Sequence, residues 1–116
     1  MLDCINDFFV SAIFMTYISF SSQIHAAAMC GQARILIELM EQEVVKNPPN
    51  DRRITPLHLA AENGFLSICK YIIDRIDDKN PGDEIGRTPL HFAAQNGHIG
   101  ICELIINNTD AKVCII

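Results

Sequence analysis

Apolar and polar positions along the chain follow a helical rhythm that is broken at regular intervals. Leu57, Ala60 and Ala61 fall at i, i+3 and i+4, which is one face of a short helix. Between residues 66 and 76, Ile68, Cys69, Ile72, Ile73 and Ile76 trace a second apolar stripe of the same period. Thr55-Pro56 stands before the first helix: Thr can accept from an orphan backbone N–H, and Pro, which has none, suits the first turn. Asn63-Gly64 closes that helix, because Gly takes positive φ without a Cβ clash. Lys79-Asn80-Pro81-Gly82 breaks the second helix, and residues 83–87, with Gly86, supply a turn before Thr88-Pro89 begins the next. The pattern predicts helix, tight turn, helix, extended turn. Such a unit cannot bury its apolar face alone and must stack on neighbours.

Self-comparison finds those neighbours. TPLHLAAENG at 55–64 recurs as TPLHFAAQNG at 88–97, an offset of 33, and the same step back lands on SQIHAAAMCG at 22–31. His25, His58 and His91 fall in register, as do Gly31, Gly64 and Gly97, and Ile35, Ile68 and Ile101. The connectors align too, Lys46-Asn47-Pro48 over Lys79-Asn80-Pro81. The expected division is an apolar segment at 1–20, a degenerate first unit at 21–49, and full units at 50–82 and 83–115.

The leading segment differs in character from the units. From Phe8 to Phe20 it is mostly apolar, and no charged side chain intervenes between Asp7 and Arg34. A secretory signal needs a basic start, whereas MLDCIND carries two aspartates and no base. A membrane helix needs about 20 apolar residues, and this run of 13 is interrupted by Ser11, Thr16 and Ser19. A helix covering the first unit is the preferred reading; membrane association through residues 8–25 is the alternative.

Composition narrows the classes. At 116 residues with 49% apolar content the chain is neither disordered nor large enough for several domains. A formal charge of −5, with no basic stripe, argues against a nucleic-acid binder held by phosphate contacts. Five scattered cysteines without a CxxC pair support neither a zinc ribbon nor a redox motif, and point to reduced thiols in the cytoplasm. No GxSxG, HExxH, P-loop or GxGxxG pattern occurs, so the chain reads as a non-enzyme without metal, cofactor or small-molecule substrate. The pairs Asp77-Asp78 and Asp83-Glu84 lie in polar connectors and read as solvated charge.

TPLHLAAENG and TPLHFAAQNGH at this period resemble the ankyrin repeat, over residues 22–115. The resemblance implies an all-α dominated solenoid of about three units: helix–turn–helix pairs with β-hairpin tips. It assigns Thr55, Pro56, His58, Gly64, Thr88, Pro89, His91 and Gly97 structural roles at helix starts and ends. Zinc would need the histidines to converge, whereas stacked repeats hold equivalent residues about 10 Å apart. There are departures: Ser22-Gln23 replaces Thr-Pro, and Arg53 stands where Gly86 stands in the next unit. The array is expected to be cut short at its C-terminal end, since no polar closing unit follows Cys102, Ile105 and Ile106.

By the same resemblance, function is expected in a protein–protein interaction module, a scaffold or adaptor that meets another protein through hairpin tips and first-helix positions. The tips are Pro49, Asp51, Arg52 and Ile54, then Gly82, Glu84, Ile85 and Arg87; the helix positions are Met29 and Cys30, Glu62 and Asn63, Gln95 and Asn96. Ile54 and Ile85 are singled out as apolar residues at exposed tips. Two alternatives are a membrane-tethered or channel-type fragment, and the targeting part of a larger enzyme.

Overall fold

A computed structural model describes residues 20–42 and 46–109. Residues 1–19, on which the covering-helix, signal and membrane readings rest, lie outside the described residues, as do 43–45 and 110–116. Six helices among the described residues form three pairs. They are α1 Phe20–Cys30 with α2 Ala33–Gln42, α3 Pro56–Asn63 with α4 Leu66–Ile73, and α5 Pro89–Gln95 with α6 Ile99–Asn108. The first helices form one row, α1 on α3 on α5, while α4 packs on α6 behind it. The core runs the length of the stack through Ile24, Leu57 and Leu90, three register-equivalent residues that are all fully buried.

Each later unit starts the same way because its orphan amides are accounted for. An α-helix leaves its first N–H groups without intrahelical partners. In α3, Pro56 has no N–H, Leu57 N–H donates to Asn47 Oδ1 (3.0 Å), and His58 N–H donates to Thr55 Oγ1 (3.3 Å). In α5, Leu90 N–H donates to Asn80 Oδ1 (3.3 Å) and His91 N–H to Thr88 Oγ1 (3.3 Å). The lysine before each asparagine serves the other end. Lys79 donates to Ile73 O (2.7 Å) and to Ile76 O, and Lys46 donates to Met40 O. The Lys-Asn pair thus ties off one helix and opens the next. It also explains why α4 ends at Ile73, short of the Ile76 that the apolar stripe predicts; Ile76 packs on the core from outside the helix.

The first unit lacks this punctuation. With Gln23 at the position of Pro56 and Pro89, nothing stops the helix, and α1 begins at Phe20, three residues earlier in register. Phe20 and Ser21 stand where Arg53 and Ile54 stand in the next unit, and they are helical. That unit therefore has no finger at those positions.

The fingers themselves are hydrogen-bonded turns, and no strand occurs among the described residues. Asn50 Oδ1 accepts from Arg52 N–H (2.8 Å) and Ile54 N–H (2.9 Å); Asp83 Oδ1 accepts from Ile85 N–H (3.0 Å) and Arg87 N–H (2.8 Å). Glu84 N–H donates to Arg52 O (3.0 Å) and links one finger to the next. The turn needs a left-handed residue, supplied by Gly86 at φ 85° and by Arg53 at φ 62°. A non-Gly residue there costs about 1–2 kcal/mol, partly offset by the greater freedom glycine has when unfolded. Arg53→Gly is therefore expected to stabilise by about 0.5 kcal/mol and Gly86→Ala to destabilise by about 1 kcal/mol. Urea midpoints measure both; a lower midpoint for Arg53→Gly would contradict the turn geometry.

Cys69 is fully buried and its thiol is pushed up to about 12 by that burial, so it stays protonated. Cys69 and Cys102 are free. Cys30 is disulfide-bonded, which corrects the expectation of reduced thiols throughout. It lies half-buried at the end of α1 and is not sealed in the core as Cys69 is.

Candidate functional site

The histidines at the helix starts are structural links between units. Thr55 N–H donates to His58 Nδ1 (3.1 Å), and the Thr55 hydroxyl lies 2.9 Å from the same nitrogen. Nδ1 must therefore be the unprotonated acceptor, which leaves the proton on Nε2, and Nε2–H donates to Arg87 O (2.9 Å) in the next finger. His25 makes the equivalent bond from Nε2 to Ile54 O (2.7 Å). The edge of the buried His58 ring meets Phe92 with centroids 5.0 Å apart. His98 has a different duty: its Nε2 bonds Glu62 O (3.0 Å), and its ring lies where a Cβ on Gly64 would be 2.7 Å from Cε1. Phe65 covers Gly31 in the same way, at 2.8 Å.

These environments give a signed pH dependence. Burial lowers the pKa of His58 below 6.5, outweighing the opposing pull of the Arg87 carbonyl. The unfolded chain takes up this proton first, so stability present above pH 6.5 is lost as pH falls below it, until the folded pKa is passed. At Asp83 burial pushes the carboxyl up. The amides of Arg87 and Ile85 and the Arg87 guanidinium pull harder, holding it below 3.8. Its contribution is present above pH 3.8 and lost below it. Urea unfolding across pH is expected to show an early decline tracking His58, and a separate acid phase tracking Asp83. An NMR titration of His58 with a midpoint at or above 6.5 would contradict the first.

A groove of about 660 Å³ lies between α1, α3 and the first finger, lined by Ser22, His25, Ala26, Met29, Leu59 and residues 49–52. Of the positions expected to meet a partner, Pro49, Asp51 and Arg52 line this groove together with Met29, which is 50% exposed. Glu62, Asn63, Gln95 and Asn96 are exposed at the ends of α3 and α5. Asn63 Nδ2 and Asn96 Nδ2 each donate back to their own helix, to Leu59 O and Phe92 O (2.9 Å in both). Glu84, Ile85 and Arg87 are exposed on the second finger, whereas Gly82 lies with Pro49 on a cavity of about 530 Å³ behind the finger bases. The two isoleucines part company. Ile85 is 69% exposed at a tip, but Ile54 is half-buried and stands at the finger exit, the register position of Arg87. Arg87 is itself held in place by Asp83 Oδ2 (2.9 Å) and by the ring of Phe92, 5.1 Å away.

Sequence reasoning gave no role to Lys46, Asn47 or Asn50, took Lys79-Asn80 only as part of a helix break, and read Asp83 as solvated charge; Asp83 is instead buried and ties the finger together through Ile85 and Arg87. The aligned Lys-Asn-Pro connectors were the available signal, since identical polar residues at matched positions imply matched duties. No cluster of three metal-ligating side chains occurs among the described residues, and no described helix is long and apolar enough to cross a membrane.

No curated protein matches the chain. A family model of ankyrin repeats, in three copies, matches residues 24–115. That span, the 33-residue stack, and the Thr-Pro-Leu-His starts bonded from one unit to the next place this chain in the ankyrin-repeat family.

Proposed function

We propose that the chain is a non-catalytic interaction module that grips another protein along the groove between its fingers and first helices. Ankyrin repeats are in general protein-binding modules and typically not catalytic. The observation that carries the reading is the groove itself: Met29 offers exposed apolar surface beside Asp51 and Arg52, on a wall whose backbone is pinned by the His25 and Asn50 bonds. A pre-ordered surface avoids part of the ordering cost of association. Ile85 extends the apolar contact along the finger row.

The test is affinity capture from the native cell extract with the chain and with a Met29→Asp/Arg52→Glu/Ile85→Asp variant, whose folding is checked by circular dichroism. Loss of about tenfold or more in a specific captured protein is expected, since central apolar anchors dominate such interfaces. Equal recovery would remove the groove and tips from the binding surface. The cytoplasm is the proposed compartment, supported by the free Cys69 and Cys102, with the Cys30 disulfide standing against it. Thiol counting on protein taken from cells decides between them: Cys30 recovered as a free thiol supports the cytoplasm, and Cys30 recovered as a disulfide places the chain in an oxidising compartment.

A further inference from the structure

Cys30 carries a bond whose other half lies outside the described residues. The chain has five cysteines, Cys4, Cys30, Cys69, Cys102 and Cys114. Cys69 and Cys102 are free while Cys30 is disulfide-bonded, so within one chain its partner is Cys4 or Cys114.

Reach separates the two. Cys114 follows Thr109, the C-cap of α6, by five residues, which span at most about 18 Å; a disulfide adds about 6 Å between Cα atoms. Cys30 stands two units away, in the other row of helices and at the turn end, whereas α6 runs from the turn end back to the finger bases. Two unit steps and one row step of about 10 Å each, crossed with about 15 Å along α6, separate Cys30 from Thr109 by about 27 Å. Cys114 falls short. Cys4 precedes Phe20 by 16 residues, which cover about 24 Å even when wound as a helix, and α1 itself is only about 16 Å long. The leading segment is thus long enough to run back along α1 and bring Cys4 to its far end.

The flank of α1 supports that course. Gln23, Ala27 and Cys30 fall at i, i+4 and i+7 and line one side of the helix. Gln23 is 7% exposed and Ala27 2%, although no described residue precedes α1 in the stack. A buried side-chain amide needs a bonding partner. Gln23 has one, and it is not among the side-chain bonds that the described residues make with one another. We propose that Cys4 and Cys30 form a redox-operated latch that holds the leading apolar segment, residues 5–19, along this flank of α1. Closing the latch couples the two thiols to a small-molecule disulfide such as oxidised glutathione. The Cys4–Cys30 bond forms, the small disulfide is split, and the two thiol protons pass to its two halves. Reduction by a small thiol reverses the exchange and frees the segment. Cys69 takes no part, because it is fully buried. The inference stands independently of the groove as a partner site.

Trypsin maps the bond, because the first Lys or Arg is Arg34 and Lys112 precedes Cys114. The chain is equilibrated with oxidised glutathione, unfolded with a thiol-blocking reagent present, and digested. Peptide 1–34 is expected to hold the bond internally, lighter by two hydrogens than its reduced form. Peptide 1–34 joined to 113–116, joined to a second 1–34, or recovered with both thiols blocked would overturn the pairing. Limited chymotrypsin digestion then reads the latch. Cleavage at Phe8, Phe9, Phe14 and Tyr17 is expected to be about tenfold or more faster after reduction, since release removes an opening step. Cys4→Ser should be cut at that fast rate without reductant, and Cys102→Ser should keep the slow one. Cleavage unchanged by reduction would overturn the latch even with the bond mapped to Cys4.

Discussion

His58→Ala is expected to destabilise the protein by about 4 kcal/mol, a large share of what a chain of this size holds. The substitution removes the Nδ1 acceptor for Thr55 N–H and the Nε2 donor to Arg87 O, leaving the first group unpaired in buried and the second in part-buried surroundings. An unsatisfied buried group costs about 1–3 kcal/mol, and the void left beside Phe92 adds to it. His91→Ala is the internal control: the same capping box is lost, but no inter-unit bond, and the ring is already half-exposed. Its expected loss is about 1–2 kcal/mol. Urea unfolding followed by circular dichroism measures both. Equal losses would show that the bond between units contributes nothing and that the histidine acts through its cap alone.

Gly64→Val should be nearly as damaging, at about 3 kcal/mol, for a different reason. Its φ of 80° is a genuine outlier for a β-branched residue. The new Cβ would also stand 2.7 Å from His98 Cε1, so the ring must leave and give up Glu62 O. Gly97→Val imposes the same backbone strain at φ 75° with no atom within 4 Å, and should cost about 1–2 kcal/mol. The difference between them isolates the ring that locks the third unit on the second. His98→Ala in the Gly64→Val background should recover that difference, since the obstructing ring is gone. No recovery would assign the loss to the backbone alone.

The fold was largely legible from residue order because ankyrin contacts are local and periodic. Thr-Pro, the paired alanines and the closing glycine each act within a few residues of themselves, so their consequences repeat wherever they repeat. The groove was legible only in part. Pro49, Asp51 and Arg52 can be placed on a finger by register, but Met29 and Leu59 join them only because α1 and α3 lie side by side. Ile54 misleads, since an apolar residue beside a turn looks like a tip until the turn's own bonds show it to be the exit.

By itself the sequence determined the 33-residue period, the helix starts and stops, and which face of each helix is apolar. Those follow from backbone geometry and local hydrogen bonding, which depend on neighbours in the chain. The tertiary structure decided what covers those faces. Cys69 and Cys102 occupy equivalent places in near-identical units, yet one is sealed and the other half-open. The local pattern is the same for both, and burial depends on what packs against it, as α6 packs against α4.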